Sequence, residues 1–300
     1  MKNFVSFKTL LPKLYNVIPG LLKGTYYCIT GGTGTGKTKL AKYLFLFHIY
    51  NYCKKNDKRC LIIWFALEEP YKKFWASIEI YLIKVKYDLE LTYYQYLGFH
   101  EGRTEEHDKA IESIRPIIND MKRHIIVTDK IDTVDKMKTF IEKIMSGLGS
   151  FKTIDEKEVF IYDKDIFVTT VLDHVSLLEG NDLAEEMRKW SQYVVRTLIP
   201  IYDMTVCNVH QQIMTGDDSA TYKNDIYPTK AKLADNKRIG RDYHVIFGLF
   251  NPFYYGLKTM NNQPVTKAFR SLHILKHRDG EDAMVASLHF NGATGSFKEI

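Results

Sequence analysis

TYYCITGGTGTGKT, residues 25–38, is the stretch on which the reading of the fold turns. Its first half, TYYCIT, is a short apolar run of the kind that forms a buried strand, and a glycine-rich turn follows at once. From Gly31 to Thr38 the residues fit G-x-x-x-x-G-K-[ST], and a helix is predicted from about Thr38 to Tyr52. Strand, glycine turn and helix in that order make a cradle for phosphate. Gly31, Gly32, Thr33, Gly34, Thr35 and Gly36 let backbone N–H groups close around the anion, and the helix N-terminus faces it. In that arrangement Lys37 reaches the β- and γ-phosphates of ATP, and the Thr38 hydroxyl ligates Mg²⁺. A plain strand-to-helix turn with a surface lysine is the competing reading, and both flanking elements count against it.

Outward from this turn, strands and helices alternate. That predicts an α/β fold with a mostly parallel sheet covered by helices on both faces. CLIIWFAL (60–67) is apolar throughout, as a central parallel strand is, and HIIVT (124–128), FVTTVLDHVSLL (167–178), MTVCNVHQQ (204–212) and YHVIFGLF (243–250) supply more strands. Helices are predicted over 70–87, over 104–121 with a bend at Pro116, from Val134 to near Gly147, and over 181–200. RSLHILKHRDGEDAMVASLHF (270–290) closes the sheet as a hairpin turning at Asp279-Gly280. Alternation of side chains puts Lys276 and Arg278 on the same side of that ribbon.

With 45% hydrophobic and 26% charged residues in 300, the chain can bury a full core, which excludes an intrinsically disordered polyelectrolyte. The densest apolar run, YLFLFHIY (43–50), falls far short of the roughly 18 residues that span a bilayer. No cleavable leader is apparent, so a cytoplasmic protein without a membrane partner is expected. Cys28, Cys53, Cys60 and Cys207 have no metal-ligand spacing and read as reduced core thiols. The net charge of +6 permits a polyanionic partner.

Two acidic positions matter to a phosphate site. Asp173 ends an apolar strand, where a carboxylate suits a magnesium ion better than it suits the core. Glu68 and Glu69 follow the second apolar strand, at the edge where open α/β sheets bind ligands. Either could polarise an attacking water while the other starts a helix, and the residues themselves do not choose between them.

The order of these parts resembles the RecA-like ATPase core of the DnaB family of hexameric replicative helicases: phosphate loop, strand ending in glutamate, strand ending in aspartate, strand ending in glutamine, late Lys-x-Arg hairpin. The resemblance extends from IPGLLKGTYYCITGGTGTGKT to LKHRDG. FALE (65–68) is similar to the family's F-S-L-E, which implies that Glu68 is the water-activating base. DHV (173–175) stands at its D-Y-L, with Asp173 on the metal, and VHQQ (209–212) puts Gln211 at the sensing glutamine. The Lys-x-Arg pair implies that Lys276 and Arg278 reach the γ-phosphate of ATP bound to an adjacent subunit. The assembly so implied is a ring, expected to be a hexamer, that translocates on single-stranded DNA and unwinds duplex, with a separate primase and a loader as candidate partners.

LADNKRIGRDYHVIF (233–247) is similar to the stretch after the family's second DNA loop. Residues 213–241 are polar and lack a period, as a functional or solvated loop is. Lys223, Lys230, Lys232, Lys237 and Arg238 are the candidate backbone-binding cations there, with Tyr222 and Tyr227 for stacking. Lys237 and Gly240 depart from the family pattern in this stretch, and His174 beside Asp173 reads as a structural residue. Residues 1–18 are expected to form an arm before a single ATPase domain, 19–300, and these 300 residues are expected to leave no room for the family's N-terminal domain. Phe7, Leu10, Leu11 and Leu14 repeat at helical spacing. Docking on a neighbouring subunit and packing on the chain's own core are equal alternatives for them. The rival functions are a RecA-type recombinase or recombination mediator, and a nucleotide-stabilised structural or packaging-associated protein.

Overall fold

The apolar runs assemble into one nine-stranded sheet. The computed structural model describes residues 4–163, 165–212, 226–233 and 239–300. In chain order the strands are β1 Tyr26–Gly31, β2 Arg59–Ala66, β3 Ile125–Thr128, β4 Ile166–Asp173, β5 Thr205–Gln211, β6 Val245–Phe250, β7 Phe269–His277, β8 Ala283–Asn291 and β9 Ser296–Glu299. Across the sheet they lie β9-β8-β7-β6-β1-β5-β4-β2-β3. The six strands from β6 to β3 are parallel, and β7, β8 and β9 continue antiparallel beyond β6. Every residue of β1, β4 and β6 is buried, as parallel strands covered on both faces must be.

Five longer helices supply the cover. α1 follows the phosphate loop as Lys37–Ala41, passes through π-helical turns over Lys42–His48, and resumes as Ile49–Lys55. α2 is Tyr71–Tyr87, α3 Glu105–His124, α4 Val134–Ser146 and α5 Leu183–Tyr193. Strand alternation divides the core in two. Tyr27 and Ile29 of β1 join Phe45, Phe74 and Ile114 from α1, α2 and α3, whereas Tyr26 and Cys28 join Met137 and Trp190 from α4 and α5. The second core encloses a closed polar knot. Asn208 accepts from Trp190 Nε1 at 2.9 Å and donates to the Tyr26 and Tyr243 hydroxyls at 2.7 and 3.0 Å.

Two local expectations need correction, and one element is new. α3 does not stop at 121; it carries Pro116 within it and runs on to His124, because Ala110, Ile114, Ile118 and Met121 anchor one face and packing outweighs one lost hydrogen bond. The apolar repeat at 7–14 is not one helix. Phe4–Ser6 pairs with Gly20–Leu22, and Pro12 opens a single helical turn, Pro12–Tyr15, at the position where its missing N–H is harmless. Phe7, Leu11 and Leu14 are buried in the chain's own core, and Leu10 alone of the four is only half-buried. Between α4 and β4 there is an unforeseen hairpin, Gly149–Ile154 with Lys157–Tyr162. Among the described residues no helix is long and apolar enough to cross a membrane.

Candidate nucleotide site

A parallel sheet delivers the carboxyl ends of its strands to one edge, and the loops that leave that edge meet. Gly31 at the end of β1 pairs with Gln211 at the end of β5, and Ala66 of β2 pairs with Asp173 of β4. The phosphate loop, Glu68, Asp173 and Gln211 are thereby brought together. Thr33, Lys37, Thr38, Glu68, Gln211 and Arg270 all line one cavity of about 400 Å³.

The loop owes its shape to glycine. Gly36 has φ +101°, where a side chain is strained, and a Cβ there would lie 3.0 Å from the Phe290 ring. A Cβ on Gly31 would meet Leu249 O at 2.3 Å. Thr35 Oγ1 and Lys37 Nζ both donate to Gly32 O, at 2.9 and 2.8 Å. α1 begins at Gly36 without any side-chain cap, so its first-turn N–H groups suit an anion.

Thr38 Oγ1 donates to Asp173 Oδ1 at 3.1 Å. Asp173 is 1% exposed, and burial pushes its carboxyl up to about 7. The charges of Glu69 and Glu68 act in the same direction, while Lys42 and the Thr38 hydrogen bond oppose them. Lys37 is held below its usual value by burial, with Glu68 and Asp173 opposing. A buried carboxylate whose close partner is a neutral hydroxyl is a fitting place for a cation. Among the described residues no cluster of three or more His, Cys, Asp or Glu stands ready to hold a metal. The Thr38 hydroxyl and the Asp173 carboxyl are oxygen donors of the kind that Mg²⁺ takes together with phosphate oxygens.

The two glutamates separate cleanly. Glu69 is ion-paired with the buried Lys42, and Glu68 faces the cavity with no hydrogen bond or ion pair to its carboxylate among the described residues. Gln211 Nε2 donates to Thr33 Oγ1 at 2.7 Å, which ties β5 to the phosphate loop.

Arg270 was not anticipated. Its Nε donates to Thr35 O at 2.9 Å, and its Nη1 donates to Lys267 O and Phe269 O at 3.0 and 2.7 Å. Its side chain also lies against the Phe290 ring, 5.0 Å from the centroid, so it braces the loop from the antiparallel side. Its one sequence signal is its place on the strand that ends in Lys276-x-Arg278.

Lys276 and Arg278 do not join this cavity. β7 is antiparallel to β6, with His277 opposite Val245, which in turn pairs with Tyr27 at the start of β1. The pair is thus at the amino edge of the sheet. Arg278 lines a different cavity there, about 520 Å³, with Tyr27 and His244. Lys276 Nζ donates to Gly240 O and Arg241 O at 3.0 and 2.7 Å. The register of β7 on β6 shifts between Ile246 and Phe247, where Leu275 is the extra residue, so the irregularity precedes Lys276. Of the loop cations, Lys230 pairs with Asp282 at 2.6 Å and Lys232 Nζ donates to Tyr227 O at 2.9 Å. Lys223, Lys237, Arg238 and Tyr222 lie outside the described residues.

A family model described as "ATPase: KaiC" matches residues 7–172, more than half of the chain. The chain belongs to the KaiC family of ATPases. A comparison with curated proteins finds no match. Among solved structures, one of an ATPase domain by itself is similar with a TM-score of 0.69 and 18% identity, over 100% of this chain and 93% of that one. A DnaB-like replicative helicase, in a structure describing its interactions with primase, is similar with a TM-score of 0.67 and 16% identity; 98% of this chain covers 63% of that one. At such identities the likeness is one of fold: this KaiC-family ATPase has the RecA-like architecture of DnaB-type ATPase domains.

Proposed function

We propose that this KaiC-family domain is one subunit of a ring-shaped motor that hydrolyses Mg-ATP between subunits and uses it to move along single-stranded DNA and unwind duplex. The supporting observation is the span of β7. Arg270 near its start braces the phosphate loop, and Arg278 follows its end, eight residues later. At about 3.4 Å per residue that separation is roughly 27 Å, several times what an arginine side chain covers. Arg278 is therefore out of reach of its own nucleotide. Arg270, which does line the cavity, is engaged by three backbone carbonyls. That separation supports the reading in which Arg278 serves the nucleotide of another copy.

In this reading the phosphate loop holds the triphosphate and Lys37 bridges its β- and γ-oxygens. Thr38 and Asp173 would hold Mg²⁺, which would supply Lewis-acid stabilisation of phosphate charge. Glu68 takes the proton of a water that attacks the γ-phosphorus in line, and the β–γ bridging oxygen leaves with ADP. Arg278, with Lys276 beside it, reaches in from the adjacent subunit and stabilises charge on the transferring phosphoryl group, an effect worth about 10³–10⁵ in rate. Gln211, bonded to the phosphate loop and followed directly by residues 213–241, relays the state of the γ-phosphate to the DNA-binding cations Lys223, Lys230, Lys232, Lys237 and Arg238.

The test is complementation between two inactive variants, Lys37→Ala and Arg278→Ala. In a random one-to-one mixture, roughly a quarter of the shared sites combine an intact Lys37 with an intact Arg278 from next door. Hydrolysis should therefore return to about that fraction of the wild-type rate. Mixtures that stay inactive at every ratio, or an isolated subunit with full activity, refute the shared site.

A further inference from the structure

Lys42 opens the π-helical turns of α1 and is 2% exposed. Its ammonium is ion-paired with Glu69, donates to Ser77 Oγ at 2.7 Å, and lies 4.2 Å from the centroid of the Phe74 ring. Ser77 Oγ in turn donates a hydrogen bond to Phe74 O at 2.8 Å, so the ammonium sits in a completed polar pocket at the start of α2. Burying a charge pair among apolar side chains seldom adds to stability, and two uncharged side chains of like volume commonly pack as well or better. The placement of this pair, rather than its energy, calls for explanation.

One partner belongs to the helix that carries Lys37 and Thr38. The other immediately follows Glu68 in the chain. On the opposite side, Leu67 N and Glu68 N both donate to Asp173 O, at 2.7 and 3.3 Å. Glu68 is thus fastened twice: through its backbone to the strand that carries Asp173, and through its neighbour to the helix that carries Lys37. Its own carboxylate is left directed at the cavity without a protein partner among the described residues.

We propose that Lys42 and Glu69 are positioning residues for the hydrolytic step, a clamp that fixes the Glu68 carboxylate relative to the phosphate loop. The inference rests on Glu68 being the base. A base must hold its water within hydrogen-bond reach of the γ-phosphorus line, and displacement of such a group by about 1 Å lowers a rate by roughly 10²-fold. The clamp leaves the phosphate-binding groups themselves untouched, so it acts on turnover and not on affinity.

The decisive variant is the double substitution Lys42→Met with Glu69→Met, which removes both charges together and keeps the volume. The single Lys42→Met is less informative, because it strands a carboxylate in the core. In the full chain, with single-stranded DNA and saturating Mg²⁺, the double variant should show kcat lowered by roughly 10- to 100-fold. KM for ATP and the midpoint of thermal unfolding should stay close to wild type. A wild-type kcat overturns the proposal. So does a raised Mg²⁺ requirement with full kcat at saturation, which would put the effect of the pair on the metal. Should the double variant misfold, Lys42→Gln with Glu69→Met takes its place, since the amide keeps Ser77 Oγ as a partner while the contact to position 69 is lost; a lowered kcat at constant KM is expected, and an unchanged kcat overturns the clamp. Glu68→Gln is measured alongside. If that variant hydrolyses ATP normally, the reading beneath the clamp fails and the clamp fails with it. If Glu68→Gln is inactive while the double variant is not, the clamp alone is wrong.

Discussion

Asparagine in place of Asp173 should make the protein more stable and at the same time unable to turn over. The carboxyl moves from an ordinary 3.8 to about 7 on folding, mainly through burial. A carboxyl raised in this way binds a proton as the chain folds. Its contribution to stability is therefore complete below pH 3.8, falls as pH rises towards 7, and is level above that. At about 1.36 kcal/mol per pH unit, the ionised side chain weakens the native state by about 4 kcal/mol above pH 7, and about 2–3 kcal/mol of that develops between pH 5 and 7. Asparagine keeps an oxygen for the Thr38 hydroxyl and carries no charge. Urea unfolding in EDTA, without nucleotide, should show the advantage of Asp173→Asn widening by about 2–3 kcal/mol from pH 5 to pH 8. ATP hydrolysis should be lost at every pH. A difference that does not vary with pH, or a variant less stable than wild type at pH 8, refutes the argument, because it means that Lys37 and Lys42 already compensate the charge.

Two more outcomes test other parts of the molecule. Asn208→Leu deprives Trp190 Nε1 and the Tyr26 and Tyr243 hydroxyls of their shared partner, and should cost about 3 kcal/mol or more in urea unfolding; a loss below about 1 kcal/mol means that the knot does not stabilise the second core. Replacing Lys230, Lys232 and Lys237 together by alanine should weaken single-strand binding and make its logarithmic salt dependence shallower by about one for each lost phosphate contact. Lys230 must leave Asp282 to reach a phosphate, and an unchanged slope removes these lysines from the interface.

Much of the fold was legible because buried parallel strands advertise themselves. CLIIWFAL and TYYCIT are continuous apolar runs, and the glycines between Gly31 and Gly36 meet a steric demand that few turns impose. Asp173 was legible for the same reason, standing where a run of core residues turns polar, whereas Gln211 was singled out from its polar neighbours only by the resemblance to the helicase family. What escaped notice lacked a local signature. Arg270 is a single cation in an ordinary amphipathic strand, and only the antiparallel pairing of β7 carries it to the phosphate loop. Lys42 lies beside YLFLFHIY, where its charge reads as a solvated helix edge until Glu69 and Ser77 are brought against it. The hairpin at 149–162 mixes Lys, Glu, Ile and Val too evenly to show a two-residue period. At 7–14, burial by a strand, a turn and one helical coil reproduced helical spacing by coincidence.

The antiparallel addition to the sheet also bears on assembly. In the proposed assembly one end of β7 supports a molecule's own phosphate loop and the other would present Arg278 to a neighbouring copy, so the donating and receiving surfaces would be unlike and at opposite edges of the sheet. Copies joined through them meet head to tail, without a two-fold axis to end the series. Such a junction sets no limit of its own on copy number: only the rotation between successive copies decides between a closed circle and an endless spiral, so a few degrees at this contact are enough to exchange one architecture for the other.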